Sequence, residues 1–171
     1  MPVSRGWPLS LLALVALSCQ GPSTEDTTSL PPPADLAPFA PLDVALGPSC
    51  ASLDCHGQPG RNLRLYDAQG LRLAPTDVSG VGSTTQDEIL ANFRSVVALE
   101  PDLTSQVLKS RGREPERLTL VRKARGTEVH IGGAVWPEGS DGDLCLVSWL
   151  KAETDVGACD RAAAAAIPPP R

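Results

Sequence analysis

The chain has 171 residues and a formal net charge of −5, and only 4% of its residues are aromatic. That length holds one modest domain with flanking segments. The acidic balance argues against a general nucleic-acid or anionic-membrane role, and the few aromatics imply a core of Leu, Val and Ala plus whatever cofactor is present.

Residues 1–18 read as an export signal. Arg5 gives a weak positive start, and the apolar run 9–17 is too short to span a bilayer. Ala16-Leu17-Ser18-Cys19 follows. It resembles a bacterial lipobox, in which the cysteine is lipidated and becomes the mature N-terminus. Ordinary secretion with cleavage nearby is the plainer alternative. Either way the mature chain is expected outside the cytoplasm; in the lipoprotein reading it belongs to the cell envelope, attached to the membrane through a lipid on Cys19 only. Residues 19–41 are polar and then proline-rich, which is the composition of a disordered tether. The folded domain is expected over 42–160, with an Ala/Pro-rich tail over 161–171. The alanines of that tail either fray or extend a helix by a turn.

The domain opens on Cys50-Ala51-Ser52-Leu53-Asp54-Cys55-His56-Gly57, which holds two of five cysteines and one of two histidines. A cysteine pair followed at once by histidine is the pattern that attaches a c-type haem. The thiols add to the vinyl groups, and the adjacent imidazole binds the iron. The usual spacer is two residues; here it is four. Beyond it, residues 62–66 and 71–73 alternate polar and apolar around Asp67-Ala68-Gln69-Gly70, as a small hairpin would. Residues 77–82 read as a loop.

Thr84 or Thr85 then caps a helix over 86–99, with Asp87 and Glu88 in the first turn where the helix dipole favours them. Ile89, Phe93 and Val96-Val97 form its apolar face. Pro101 ends it and opens a second helix through Leu108. Residues 109–125 carry seven Lys or Arg against Glu114 and Glu116. They are either a solvated face or cations for haem propionates or an acidic partner. Leu118, Leu120 and Val121 within them are expected to point inward. His130-Ile131-Gly132-Gly133 holds the second histidine. Ser140 or Asp141 caps a last helix that carries Cys145, with Cys159 in the loop after it.

With Cys19 lipidated, four cysteines remain in an oxidising compartment and allow three pairings. The simplest groups Cys50 with Cys55 and Cys145 with Cys159. The second pair closes a loop worth about 3 kcal/mol in the loop-entropy model. If a haem binds His56, the sixth ligand is Met or His. The only methionine is Met1, so the choice narrows to His130 or an open position.

The order of elements is a Cys-His-Gly motif, then Gly112-x-x-Pro115-x-x-x-x-Leu120-x-x-Lys123, then His130-x-Gly132-Gly133, then a helix with Leu146-x-x-Trp149. It resembles the cytochrome-c-like domains of exported bacterial lipoproteins of the myxobacterial and planctomycete type. The resemblance spans about residues 43–151. It implies a mainly α, small cytochrome-c-like domain with long irregular loops between a disordered tether and tail. It also implies one covalent haem c on Cys50 and Cys55, His56 as proximal ligand, His130 as distal ligand, and electron transfer to a redox partner protein. In such a domain an amphipathic helix precedes the first cysteine; here Pro41, Gly47 and Pro48 interrupt that stretch.

Two alternatives stay open on the residues themselves. One is a haem-free lipoprotein stapled by two disulfides, acting as a binding or structural module. The other is a zinc site of Cys50, Cys55, His56 and His130, which thiols in an oxidising compartment disfavour. No phosphate loop, nucleophile elbow or carboxylate pair points to an enzyme.

Overall fold

A computed structural model describes residues 36–166. The export signal, Cys19, most of the tether and the end of the tail lie outside these residues. The described part is mainly α-helical: α1 (Ala40–Cys50), α2 (Gln86–Val97), α3 (Pro101–Lys109), α4 (Thr119–Arg125), α5 (Asp141–Leu150) and α6 (Val156–Ala166), with a 3-10 turn at Pro115–Arg117. No β-strand occurs among the described residues.

Helix α1 forms despite the three residues expected to break it. Pro41 lies in the first turn, where its missing N–H has no helical partner to lose. Pro48 lies in the last turn. Gly47 sits where the Asp67 carboxylate fills the space of a Cβ. Burial of Leu42, Ala45 and Leu46 then holds the helix in place. The packed unit also begins ahead of position 42, because Phe39 is fully buried. Its ring meets Phe93 edge-on at 5.4 Å and Trp149 at 5.5 Å, joining α1, α2 and α5. Edge-to-face geometry of this kind adds about 1 kcal/mol per pair beyond burial.

Helix α2 starts as the sequence indicates. Thr85 is the N-cap, its hydroxyl accepts from Glu88 N, and the Glu88 carboxylate accepts from Thr85 N. This capping box satisfies two donors that the first turn leaves without helical partners. Pro101 opens α3, and Ser140 caps α5 through Asp143 N. Leu118 and Val121 are buried as expected, with Leu120 partly so.

The expected hairpin does not form. Residues 62–66 and 71–73 give their backbone donors to side chains of α2 and to the Cys-His-Gly loop, so no cross-strand ladder remains. Arg64 N donates to Ser95 Oγ, Tyr66 N to Asn92 Oδ1, Leu73 N to Glu88 Oε1 and Leu65 N to His56 O. Only Asp67 N to Leu71 O crosses the turn.

Cys159 lies in α6, not in a loop, and α6 runs through Ala166, so the alanines do extend a helix. Cys145 and Cys159 form a disulfide between α5 and α6. Both helices pack on α1, which brings the two ends of the described chain together. Thr154 Oγ1 donates to Pro38 O at 2.8 Å across that junction.

Candidate functional site

Helix α1 ends on Cys50, and the chain then curls tightly. Ser52 O accepts from both Cys55 N and Gly57 N at 2.9 Å, and His56 N donates to Cys50 O at 3.1 Å. The four-residue spacer is thus taken up in one compact turn. Gly57 is required there, because the Ala51 and Ser52 carbonyls occupy the place a Cβ would need.

This turn delivers His56 to a cavity of about 420 Å³. Cys50, Leu63, Leu99, Leu120, Ala124 and Val135 form much of its wall, with Arg61, Thr119 and Lys123 at polar positions. His130 lines the same cavity from the loop after α4. That loop leaves α4 through Gly126 in the left-handed conformation (φ 75°) and returns with Trp136 N donating to Ala124 O. The two imidazole centroids are 5.8 Å apart and the ring planes differ by 22°.

Hydrogen bonds engage one nitrogen of each ring. His56 Nδ1 is 2.9 Å from Leu63 O, and His130 Nδ1 is 3.3 Å from Gly133 O. A carbonyl oxygen only accepts, so each Nδ1 carries the proton of its bond and each Nε2 is left out of it. Metal-ligating histidines are oriented in this way. Burial holds the His56 imidazole below its ordinary pKa against the opposing Leu63 bond, and His130, Arg61 and Lys123 add to the lowering. His56 is therefore neutral at neutral pH, as a ligand must be.

The cysteines of the motif part company. Both are free thiols. Cys50 lines the cavity, and burial, with a contribution from Cys55, pushes its thiol up to about 12. Cys55 is exposed on the outer side of the turn, where Arg61 Nε donates to its carbonyl at 2.9 Å. A four-ligand zinc centre does not assemble: among the described residues no three His, Cys, Asp or Glu side chains converge to hold a metal ion.

The basic segment is largely neutralised. Arg125 pairs with the buried Asp143 at 2.7 Å, and Arg122 with Glu128 at 2.8 Å. Lys123 alone among its cations lines the cavity, and its Nζ donates to Val129 O on the His130 loop. Val129 and Ile131, either side of His130, are 93% and 100% exposed.

The sequence indicates that Leu120 points inward and that cations of 109–125 could serve the site, without singling out Lys123. Leu63, Leu99 and Val135 carry no local signal, because any apolar residue of an irregular segment looks the same in sequence.

Compared with protein-family models, with curated proteins and with solved structures, the chain gives no match in any of the three.

Proposed function

We propose that this chain is an exported, lipid-anchored, monohaem c-type cytochrome-like protein that transfers electrons to a partner and transforms no substrate. One observation carries the proposal. Two histidines seventy-odd residues apart in sequence meet at one largely apolar cavity with 5.8 Å between ring centroids, and each is anchored through Nδ1 by a backbone carbonyl. Two imidazoles sharing one metal ion through bonds of about 2 Å have centroids roughly 6 Å apart. The near-parallel rings fit that arrangement.

In this reading His56 and His130 would hold the iron and Cys50 would be one point of covalent attachment, while Cys55, exposed outside the cavity, would have to turn inward to be the other. A bound haem supplies the one-electron couple. The protein's part is to hold both ring nitrogens in place through the Leu63 and Gly133 carbonyls. The Leu63, Leu99, Leu120 and Val135 side chains would give a bound haem an apolar wall, which would favour the less charged oxidation state. Two imidazoles give a lower potential than an imidazole with a thioether.

The test is expression of the domain with a cytochrome c maturation system. A Soret band and a pyridine haemochrome that survives denaturation are expected. His130→Ala then converts a low-spin spectrum to high-spin. Colourless protein under those conditions refutes the proposal, and an unchanged spectrum removes His130 from the site.

The exposure of Cys55 favours a second reading. A side chain outside the cavity is free to meet Cys50 as a disulfide, giving a haem-free envelope module with two staples. Mass spectrometry of the non-reduced protein separates the two, by added haem mass or by the loss of four hydrogens.

A further inference from the structure

On the other side of Arg61 and Asn62 from the histidine cavity lies a second cleft of about 480 Å³. Arg61, Arg64 and Arg94 line it, with Asn62, Tyr66 and Ser95, and no carboxylate is among its lining residues. This arrangement is unusual in a chain of net charge −5. Elsewhere among the described residues Arg72, Arg111, Arg122, Lys123, Arg125 and Arg161 each have an acidic partner within 4 Å, while Lys109, Arg113, Arg117 and Lys151 stand outside these pairs but line no common cleft. The three arginines of the cleft have none.

Two of the three are also held in position. Arg61 spends Nε and one terminal nitrogen on the Cys55 and Asp54 carbonyls. Arg64 donates to Pro59 O and lies over the Tyr66 ring at 5.6 Å. Neither set of bonds neutralises the charge, and each guanidinium retains donors from its five N–H groups. Arg94 projects from the last turn of α2, which favours a cation but forms no bond that fixes it. Leu73, Ala91 and Ala98 give the cleft an apolar floor. Guanidinium groups lining one concave surface can offer paired donors to the oxygens of carboxylate or phosphate.

We propose that the Arg61–Arg64–Arg94 cleft binds a small oxyanion carrying two or more negative charges. The proposal does not rest on a haem in the neighbouring cavity, although Arg61 lines both.

Isothermal titration of the purified chain at low ionic strength tests it, with inorganic pyrophosphate and citrate as separate probes. Saturable binding of one probe per chain is expected. A preference for pyrophosphate assigns a phosphoryl ligand, and a preference for citrate a carboxylate. Arg64→Gln and Arg94→Gln lie outside the histidine cavity, and each is expected to weaken binding about tenfold or more. Arg113→Gln, an exposed arginine away from the cleft, leaves it unchanged. The proposal is overturned if neither probe binds, or if Arg113→Gln weakens binding as much as Arg94→Gln, since diffuse attraction to surface charge then accounts for it.

Discussion

Replacing Glu88 by Gln tests how the long segment between α1 and α2 is held. The Glu88 side chain is fully buried and Arg72 is 6% exposed. The carboxylate accepts from Arg72 Nε at 2.9 Å, from Leu73 N at 3.0 Å and from Thr85 N at 2.8 Å. Burial opposes its charge, but the Arg72 pair and the two backbone donors outweigh burial and bring its pKa down to about 2 from 4.5. A pKa lowered on folding contributes stability that is fully present above 4.5 and lost as pH falls towards 2. A depression of that size is worth about 3 kcal/mol at neutral pH. Breaking a buried ion pair by removing one partner costs a similar 3–5 kcal/mol, roughly. Arg72 also donates to Val81 O and Ser83 O, so the loss reaches the whole 72–88 segment. Urea unfolding at a series of pH values is the assay. Glu88→Gln is expected to lose about 3 kcal/mol at pH 7 and to show a much shallower decline between pH 4.5 and 2. A loss below about 1 kcal/mol, the range of an exposed pair, or an unaltered acid decline, would refute the reasoning.

Asp43 acts in the opposite sense. Burial raises its pKa to about 6 despite the Asn92 hydrogen bond, with Asp67 and Glu88 adding to the rise. A raised carboxyl favours the folded state below 3.8, and that advantage is lost as pH climbs through 6. Asp43→Asn keeps an acceptor for Asn92 and is expected to gain on the order of 2 kcal/mol at pH 7, with a flatter urea profile between pH 4 and 6. Gly57→Ala places a Cβ against two backbone carbonyls, whereas a Cβ at Gly60 meets nothing within 4 Å. The first is expected to abolish covalent haem in the maturation assay and the second to leave it intact. Equal yields would show that the turn is not limiting. Cys145→Ala with Cys159→Ala removes the α5–α6 bridge and is expected to cost about 3 kcal/mol in urea unfolding without reducing agent.

Much of the site was legible because its residue types are scarce. The Cys-His motif marks His56, and with two histidines and one N-terminal methionine a haem there leaves His130 or an open position opposite it. What composition does not contain is a distance. The pairing of the rings depends on how α4 and Gly126 direct one loop and how a turn of seven residues directs the other. The hairpin over 62–73 was misjudged because alternation in an irregular segment looks like a strand. There the backbone bonds go to Asn92, Ser95 and Glu88, which are far away in sequence.

The sequence by itself determined the local features whose causes lie within a turn or two. These are a threonine cap at 84 or 85, the Pro101 helix start, a cap at Ser140 or Asp141 and the scarcity of possible ligands. Tertiary structure decided what depends on non-local partners. It made α1 a helix across Pro41, Gly47 and Pro48, because burial of Leu42 and Leu46 outweighs weak propensity. It put Cys50 in a cavity wall and Cys55 in solvent, although both stand in one eight-residue motif. It also gathered Arg61, Arg64 and Arg94 into one cleft, because a side chain on α2 and two on a loop share a surface only once the chain has folded.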